Sequence, residues 1–363
     1  LELHLLQYAA DAPWRAEWAA RKYSESGLFG EYGSTRASEL YVNGSIALNL
    51  FPHERLQVRY DRREYRDGRF DVADERFDAL WHTGAGWAVV LTGWPSFEKE
   101  EASFGLGIRL GAAKARDALE LRVVNDRFLW NEKSGSDVTI TKRPVRVVLD
   151  GSVERGPYWV HGTADWGLGH AAEEGEGDGA PARSARGFQR FVDIAAERAF
   201  GSGAIGLRVT GAALERRQEE GSGEALRLER RWGRALLTGR RSVGRVTLHG
   251  LVGVAAQRDD FASPSIPSGS YRMDALLVGL EGGLPVSRGL EVRLGYLGSS
   301  QRSERTTETA GPLPALEESP FLDKAHVKAL YAFRPGMSVE LLLSQALRGG
   351  SFGGGSLKAL LSF

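Results

Sequence analysis

The chain has 363 residues, 47 basic and 47 acidic side chains, no net charge with histidine neutral, and no cysteine. The missing cysteine excludes disulfide frameworks, thiolate metal sites, haem attachment through cysteine and cysteine nucleophiles. Balanced charge leaves no global field to draw in nucleic acid.

The length exceeds a typical single soluble core. Glycine is spread throughout and no Pro/Gly/Ser linker divides the chain, so residues 1–363 read as one large closed sheet. No run of 18 apolar residues exists, which excludes a spanning helix. A barrel strand needs only about 9–11 residues with alternate positions polar.

From the start, Leu1-Glu2-Leu3-His4 shows no signal-peptide pattern, so an exported chain would be the mature form. Residues 1–35 are expected to hold a first strand, at Glu2–Tyr8 or Trp14–Arg21, plus a periplasmic or lumen-facing segment over Trp14–Tyr32. From residue 38 onward period-2 alternation takes over. Leu40, Val42, Ile46, Leu48 and Leu50 share one parity, with Asn43, Ser45 and Asn49 on the other. Leu56 and Val58 oppose Arg59 and Asp61; Leu119, Leu121 and Val123 oppose Glu120 and Arg122; Val145, Val147 and Leu149 oppose Arg146 and Asp150. Ile205, Leu207 and Val209 oppose Arg208, and Leu248, Val252 and Val254 oppose Arg245, Thr247 and His249. Met273, Ala275 and Leu277 oppose Arg272 and Asp274; Leu290, Val292 and Leu294 oppose Glu291 and Arg293. Val327 and Ala329 oppose Lys328; Val339, Leu341 and Leu343 oppose Glu340; Leu357, Ala359, Leu361 and Phe363 oppose Lys358.

Connections alternate in length. Short turns are expected at 52–54, 83–86, 114–117, 155–157, 201–203, 239–242, 282–289 and 334–337, with longer polar connections at 67–75, 95–102, 131–143, 170–187, 215–224, 257–270 and 298–324. Short turns on one rim and long loops on the other mark an outer-membrane barrel, with the short rim periplasmic. The segments number 17 from residue 38, and 18 with one strand in 1–35. Asp61–Trp81 and Phe188–Arg198 also admit a helical reading, which would leave 16 or 14.

This pattern resembles porin-like bacterial outer-membrane β-barrels, and the aromatic end at Phe363 resembles the terminal assembly signal of that class. The resemblance implies an all-β, antiparallel up-and-down transmembrane barrel in the outer membrane of a Gram-negative bacterium, without enzyme activity, cofactor or metal. Its partners would be outer-membrane lipid and lipopolysaccharide, the barrel-assembly machinery and periplasmic or other envelope proteins, with no nucleic acid.

A charge on the lipid side costs roughly 2–4 kcal/mol for Arg or Lys at mid-membrane, so the polar parity must face inward. The expected pore-lining set is Arg59, Asp61, Glu120, Arg122, Asp150, Arg208, Arg227, Glu229, Arg245, Arg272, Asp274, Glu291, Arg293, Lys328, Glu340 and Lys358. Only eight of the 47 cations are lysine. That bias suits a lumen of fork-shaped permanent charges, and suits equally a GC-rich genome. Tyr60, Trp81, Trp130, Trp159, Trp166, Tyr271 and Tyr296 would form interfacial girdles.

Two motifs fail for want of context. Gly201–Gly206 has the dinucleotide glycine spacing but precedes a strand rather than a helix. Gly349-Gly350-Ser351-Phe352-Gly353 has the nucleophile-elbow spacing but also leads into a strand. The acidic run Glu173, Glu174, Glu176 and Asp178 lacks EF-hand spacing and reads as a solvated loop. The function expected is a channel for hydrophilic solutes or an exported anionic polymer; the alternative is a barrel that anchors or sheathes partner proteins of an envelope complex.

Overall fold

The computed structural model describes residues 26–34, 40–66, 71–94, 103–112, 115, 117–126, 143–168, 170–174, 183–220, 223–263, 266–307, 316–318, 321–348 and 352–362. They form β1 (Gly27–Ser34), β2 (Leu40–His53), β3 (Leu56–Arg66), β4 (Asp71–His82), β5 (Trp87–Trp94), β6 (Ser103–Leu110) and β7 (Ala118–Asp126). Next come β8 (Arg143–Arg155), β9 (Tyr158–Gly167), β10 (His170–Glu174), β11 (Arg183–Phe200), β12 (Gly203–Glu220), β13 (Gly223–Val243) and β14 (Val246–Ser263). The chain continues through β15 (Ile266–Ser287), β16 (Leu290–Thr307), β17 (Leu316–Glu318), β18 (Phe321–Arg334), β19 (Met337–Ala346) and β20 (Phe352–Ser362).

Eighteen of these strands make one antiparallel up-and-down wall. Each pairs with its neighbours in sequence, β9 passing directly to β11 and β16 to β18. β20 returns to β1 through pairs from Gly27↔Ser362 to Ser34↔Gly355, which closes the ring. Closure leaves no unpaired edge in the wall, as a strand structure in hydrocarbon requires. β10 and β17 only extend β11 and β16 at one rim.

The first wall strand therefore lies at Gly27–Ser34, inside the expected window but at neither expected position. Glu2–Tyr8 and Trp14–Arg21 fall outside the described residues, as does Phe363. The segments that admitted a helix are strands throughout their described residues, and the 16- and 14-strand counts fall with that reading.

The alternation sorts side chains inside out. Leu248, Leu294 and Leu341 are 43%, 62% and 44% exposed, while Lys328 and Glu340 on the opposite parity are 5% and 3% exposed. A water-soluble core would reverse those values; a lipid-facing belt around a polar interior produces them.

Short turns occupy one rim. The β13–β14 and β15–β16 turns are two residues long, Gly244-Arg245 and Arg288-Gly289. Gly244 (φ 61°) and Gly289 (φ 91°) take up the left-handed backbone there. At the other rim the strands outrun the expectation. The connections read at 215–224 and 257–270 are mostly strand, because β12, β13, β14 and β15 run on to Glu220, Gly223, Ser263 and Ile266. On the short rim, the turn read at 239–242 sits at 244–245, after Val243. Polar composition signalled exposure to water, which a strand standing clear of the membrane also has.

The barrel is consequently lopsided. β11 to β16 contain 18 to 22 residues each, whereas β4 to β7 contain 8 to 12. On β15 the outward apolar series runs from Leu276 to Val286. Ten steps of about 3.3 Å, tilted about 40°, climb about 25 Å, the height of an apolar barrel belt. Everything beyond Leu276 on that strand, toward Ile266, stands above the belt as a tall wing.

Candidate functional site on the inner face

Among the described residues, the ion pairs of the inner face include three clusters. The densest spans β3, β4, β6 and β7. Arg59 donates to Asp78 (2.6 Å) and to both carboxylate oxygens of Glu120, the longer contact being 2.8 Å. Arg109 also reaches Glu120 at 3.2 Å and donates to the Ala115 carbonyl at 3.2 Å. Arg76 lies 3.3 Å from Asp78 and 3.6 Å from Asp61, and Arg122 lies 3.7 Å from Asp78. Arg59, Asp78, Arg109, Glu120 and Arg122 are all buried.

Glycine makes one of these reaches possible. Arg122 sits opposite Gly107, where a Cβ would fall within 2.6 Å of Arg122 Cγ. The bare backbone lets the arginine side chain lie across β6 toward β4. Contact between Arg59 and Glu120 joins strands four apart, about 19 Å along the sheet. The wall must bend sharply over that arc, and its inner face closes into a corner.

A second cluster lies across β15, β16 and β18. Glu281 accepts from His326 (2.9 Å), Lys328 (2.7 Å) and Arg293 (3.3 Å), and Arg293 also donates to Glu291 at 2.9 Å. His326 leans over Gly295, whose hydrogen leaves the space that a Cβ would take from its ring. The third cluster joins β11 and β12, where Asp193 accepts from Arg208 at 2.5 Å and from Thr210 at 2.8 Å. Glu340 and Lys358 face each other on β19 and β20 at 3.8 Å. Asp150 is buried on β8.

These positions place Arg59, Asp61, Glu120, Arg122, Asp150, Arg208, Glu291, Arg293, Lys328, Glu340 and Lys358 on the buried side of the wall. Five other expected positions lie elsewhere. Arg245 is in the β13–β14 turn and exposed. Arg272 and Asp274 are exposed and share parity with the outward Leu276, Val278 and Leu280. Register fixes this, because Leu276 pairs with outward Val254 and Val278 with outward Val252. Arg227 and Glu229 share the outward parity of Leu237 on β13. All four lie on the wing, above the belt, where an outward charge meets water. Burial pushes the Glu229 carboxyl up, but hydrogen bonds from Arg217 (2.9 Å) and Arg227 (3.0 Å) hold it below its ordinary value.

The same inversion puts Leu277, Ala275, Ala255, Leu236 and Leu297 on the inner face as an apolar patch. Leu276-Leu277-Val278 is apolar on both parities, so alternation alone could not find it. Among the aromatics, Tyr60, Trp81, Trp166 and Tyr296 lie on the outer face, whereas Trp159 and Tyr271 share the buried parity; Trp130 is outside the described residues.

Gly201-Ser202 is a turn, and β12 begins at Gly203. Ser351 lies outside the described residues. Glu173 and Glu174 end β10, and Glu176 and Asp178 lie outside the described residues. Among the described residues no three His, Asp or Glu side chains converge as metal ligands.

No family model matches the chain. No curated protein sequence matches it. Solved structures that it resembles include a loop L8 deletion mutant of OmpT, an outer membrane protein of Vibrio cholerae, at 12% identity and TM-score 0.42 over 94% of this chain and 100% of that one. Others are Pseudomonas aeruginosa OccK10 (11%, TM-score 0.42, 94% and 99%) and Acinetobacter baumannii OccAB3 (10%, TM-score 0.43, 93% and 98%). The closed wall, its outward apolar belt and its polar interior define a transmembrane β-barrel.

Proposed function

We propose that the barrel is an outer-membrane channel passing hydrophilic solutes, or an exported anionic polymer, through a mixed-charge, arginine-rich lumen. The observation that supports this most is a closed 18-strand ring whose inward parity carries opposed charges. A circular wall of that strand number and tilt has a radius of about 18 Å, more than side chains can fill. The β3–β7 corner then acts as a strut, and the passage runs along β11 to β16. There the inward Glu291, Glu197 and Arg240 side chains are 26%, 36% and 48% exposed. Paired charges of both signs keep such a wall wet without favouring one ion strongly.

The test is conductance of the purified barrel in planar lipid bilayers. Stepwise current is expected, and Glu281→Gln should move the reversal potential toward anions. A second reading, a barrel that anchors or sheathes partner proteins, draws on the corner, where Arg109 and Glu120 are both 0% exposed. Electrically silent protein that co-purifies stoichiometrically with other envelope chains would favour that reading over the channel.

A further inference from the structure

One register row crosses the outer face of the tall wing: Trp166 on β9, Arg190 on β11, Ala213 on β12, Arg231 on β13, Arg258 on β14 and Arg272 on β15. Directly opposed like charges on neighbouring strands destabilise a sheet, and Arg231, Arg258 and Arg272 are opposed in succession. All three are exposed. Arg272 is held by Asp274 at 3.0 Å, but Arg231 and Arg258 have no ion-pair or hydrogen-bond partner among the described residues. The acidic groups nearby are Asp274, Glu304 at the end of the row, and Glu215, Glu229 and Asp260 in the next row outward, where Glu215 and Glu229 pair with Arg217. Asp274, on the lipid side of the row, is taken up by Arg272, and the other acids lie at the end of the row or on its watery side, so Arg231 and Arg258 face the lipid side without a carboxylate of their own.

Two features set the depth. Arg258 lies four residues beyond Val254, the last outward aliphatic on β14 above alanine, about 13 Å along the strand. Trp166, half exposed, stands in the same row, and its ring stacks 4.2 Å from the Arg190 guanidinium, which also lies 4.5 Å from Phe188. Such aromatics mark the membrane–water interface, and the short turns at the opposite rim make this the outer leaflet.

We propose that this row binds the phosphates of lipid A, the anchor of lipopolysaccharide, with Arg231 and Arg258 as the primary ligands. Guanidinium forks match phosphate oxygens bidentately. Arg231 to Arg272 spans two strand spacings, about 10 Å, and Arg190 lies about 19 Å from Arg272. That width suits a headgroup with more than one phosphate on a sugar frame rather than a single glycerophosphate.

The test measures binding of full-length barrel in detergent micelles to bisphosphorylated lipid A, to the same lipid A with both phosphates removed, and to phosphatidylglycerol. The triple variant Arg231→Gln/Arg258→Gln/Arg272→Gln should lose at least about tenfold in affinity for bisphosphorylated lipid A. Arg241→Gln/Arg245→Gln, at the other rim, should bind like the parent, and dephosphorylated lipid should bind weakly to all. Single Arg258→Gln, which removes no ion pair, should lose about threefold and covers the case of a misfolded triple variant. Equal binding of parent and Arg258→Gln, no dependence on the phosphates, or equally tight phosphatidylglycerol would each overturn the assignment.

Discussion

Glu120→Gln offers the sharpest probe of the inner corner. Its carboxylate accepts from Arg59 and Arg109, and all three side chains are nearly inaccessible. With Asp78, Asp61, Arg76 and Arg122 the cluster holds four cations against three anions. Losing Glu120 leaves four cations facing two. Breaking one partner of a buried pair costs about 3–5 kcal/mol, and the upper part of that range applies because two guanidinia lose the same negative charge together. Removing Arg59 as well, in Glu120→Gln/Arg59→Met, should recover about half of the loss, since the second change withdraws one stranded charge. Urea unfolding in lipid vesicles, followed by tryptophan fluorescence, measures all three proteins. A loss below about 1 kcal/mol for the single variant, or strict additivity in the double, would refute a closed, dry corner.

Other expectations follow from the same geometry. Leu294→Arg places a charge in the middle of the belt and should destabilise the barrel by about 2–4 kcal/mol in vesicles; the same unfolding experiment reports it, and a neutral effect would contradict lipid exposure at Leu294. Gly295→Val fills the space used by His326 and should cost about 1–3 kcal/mol by overpacking, detected as a lowered temperature for loss of the compact band on gels. Gly244→Val forces a β-branched residue into φ 61° in a two-residue turn, and about 1–3 kcal/mol of strain should appear mainly as slower folding into vesicles.

Most of the wall could be read from side-chain order alone. Within the belt each strand must present grease outward and polarity inward, so Leu119-Glu120-Leu121-Arg122 leaves a single solution. Above the belt that rule lapses, because water bathes both faces. Arg227, Glu229, Arg272 and Asp274 obey the alternation, yet their inward reading inverted it. Only their register against Leu237, Val254 and Val278 sets their side. The inner corner was hidden for a different reason. Arg59, Asp78 and Glu120 are up to 61 residues apart in sequence, and their meeting depends on how sharply the wall curves. Gly105 and Gly107, spaced by two on the buried face of β6, were the available signal for a strand crossed by a neighbour's side chain.

The inside-out wall itself can be tested by single-cysteine scanning, which the cysteine-free chain permits without background. Bimane at Val252, Val254, Leu276 and Val278 should be strongly quenched by brominated lipid, and bimane at Gly253, Ala255, Leu277 and Ser299 should not. Quenching that failed to alternate between neighbouring positions, or that favoured Leu277 over Leu276, would contradict a barrel with its charges within and its apolar belt in the membrane.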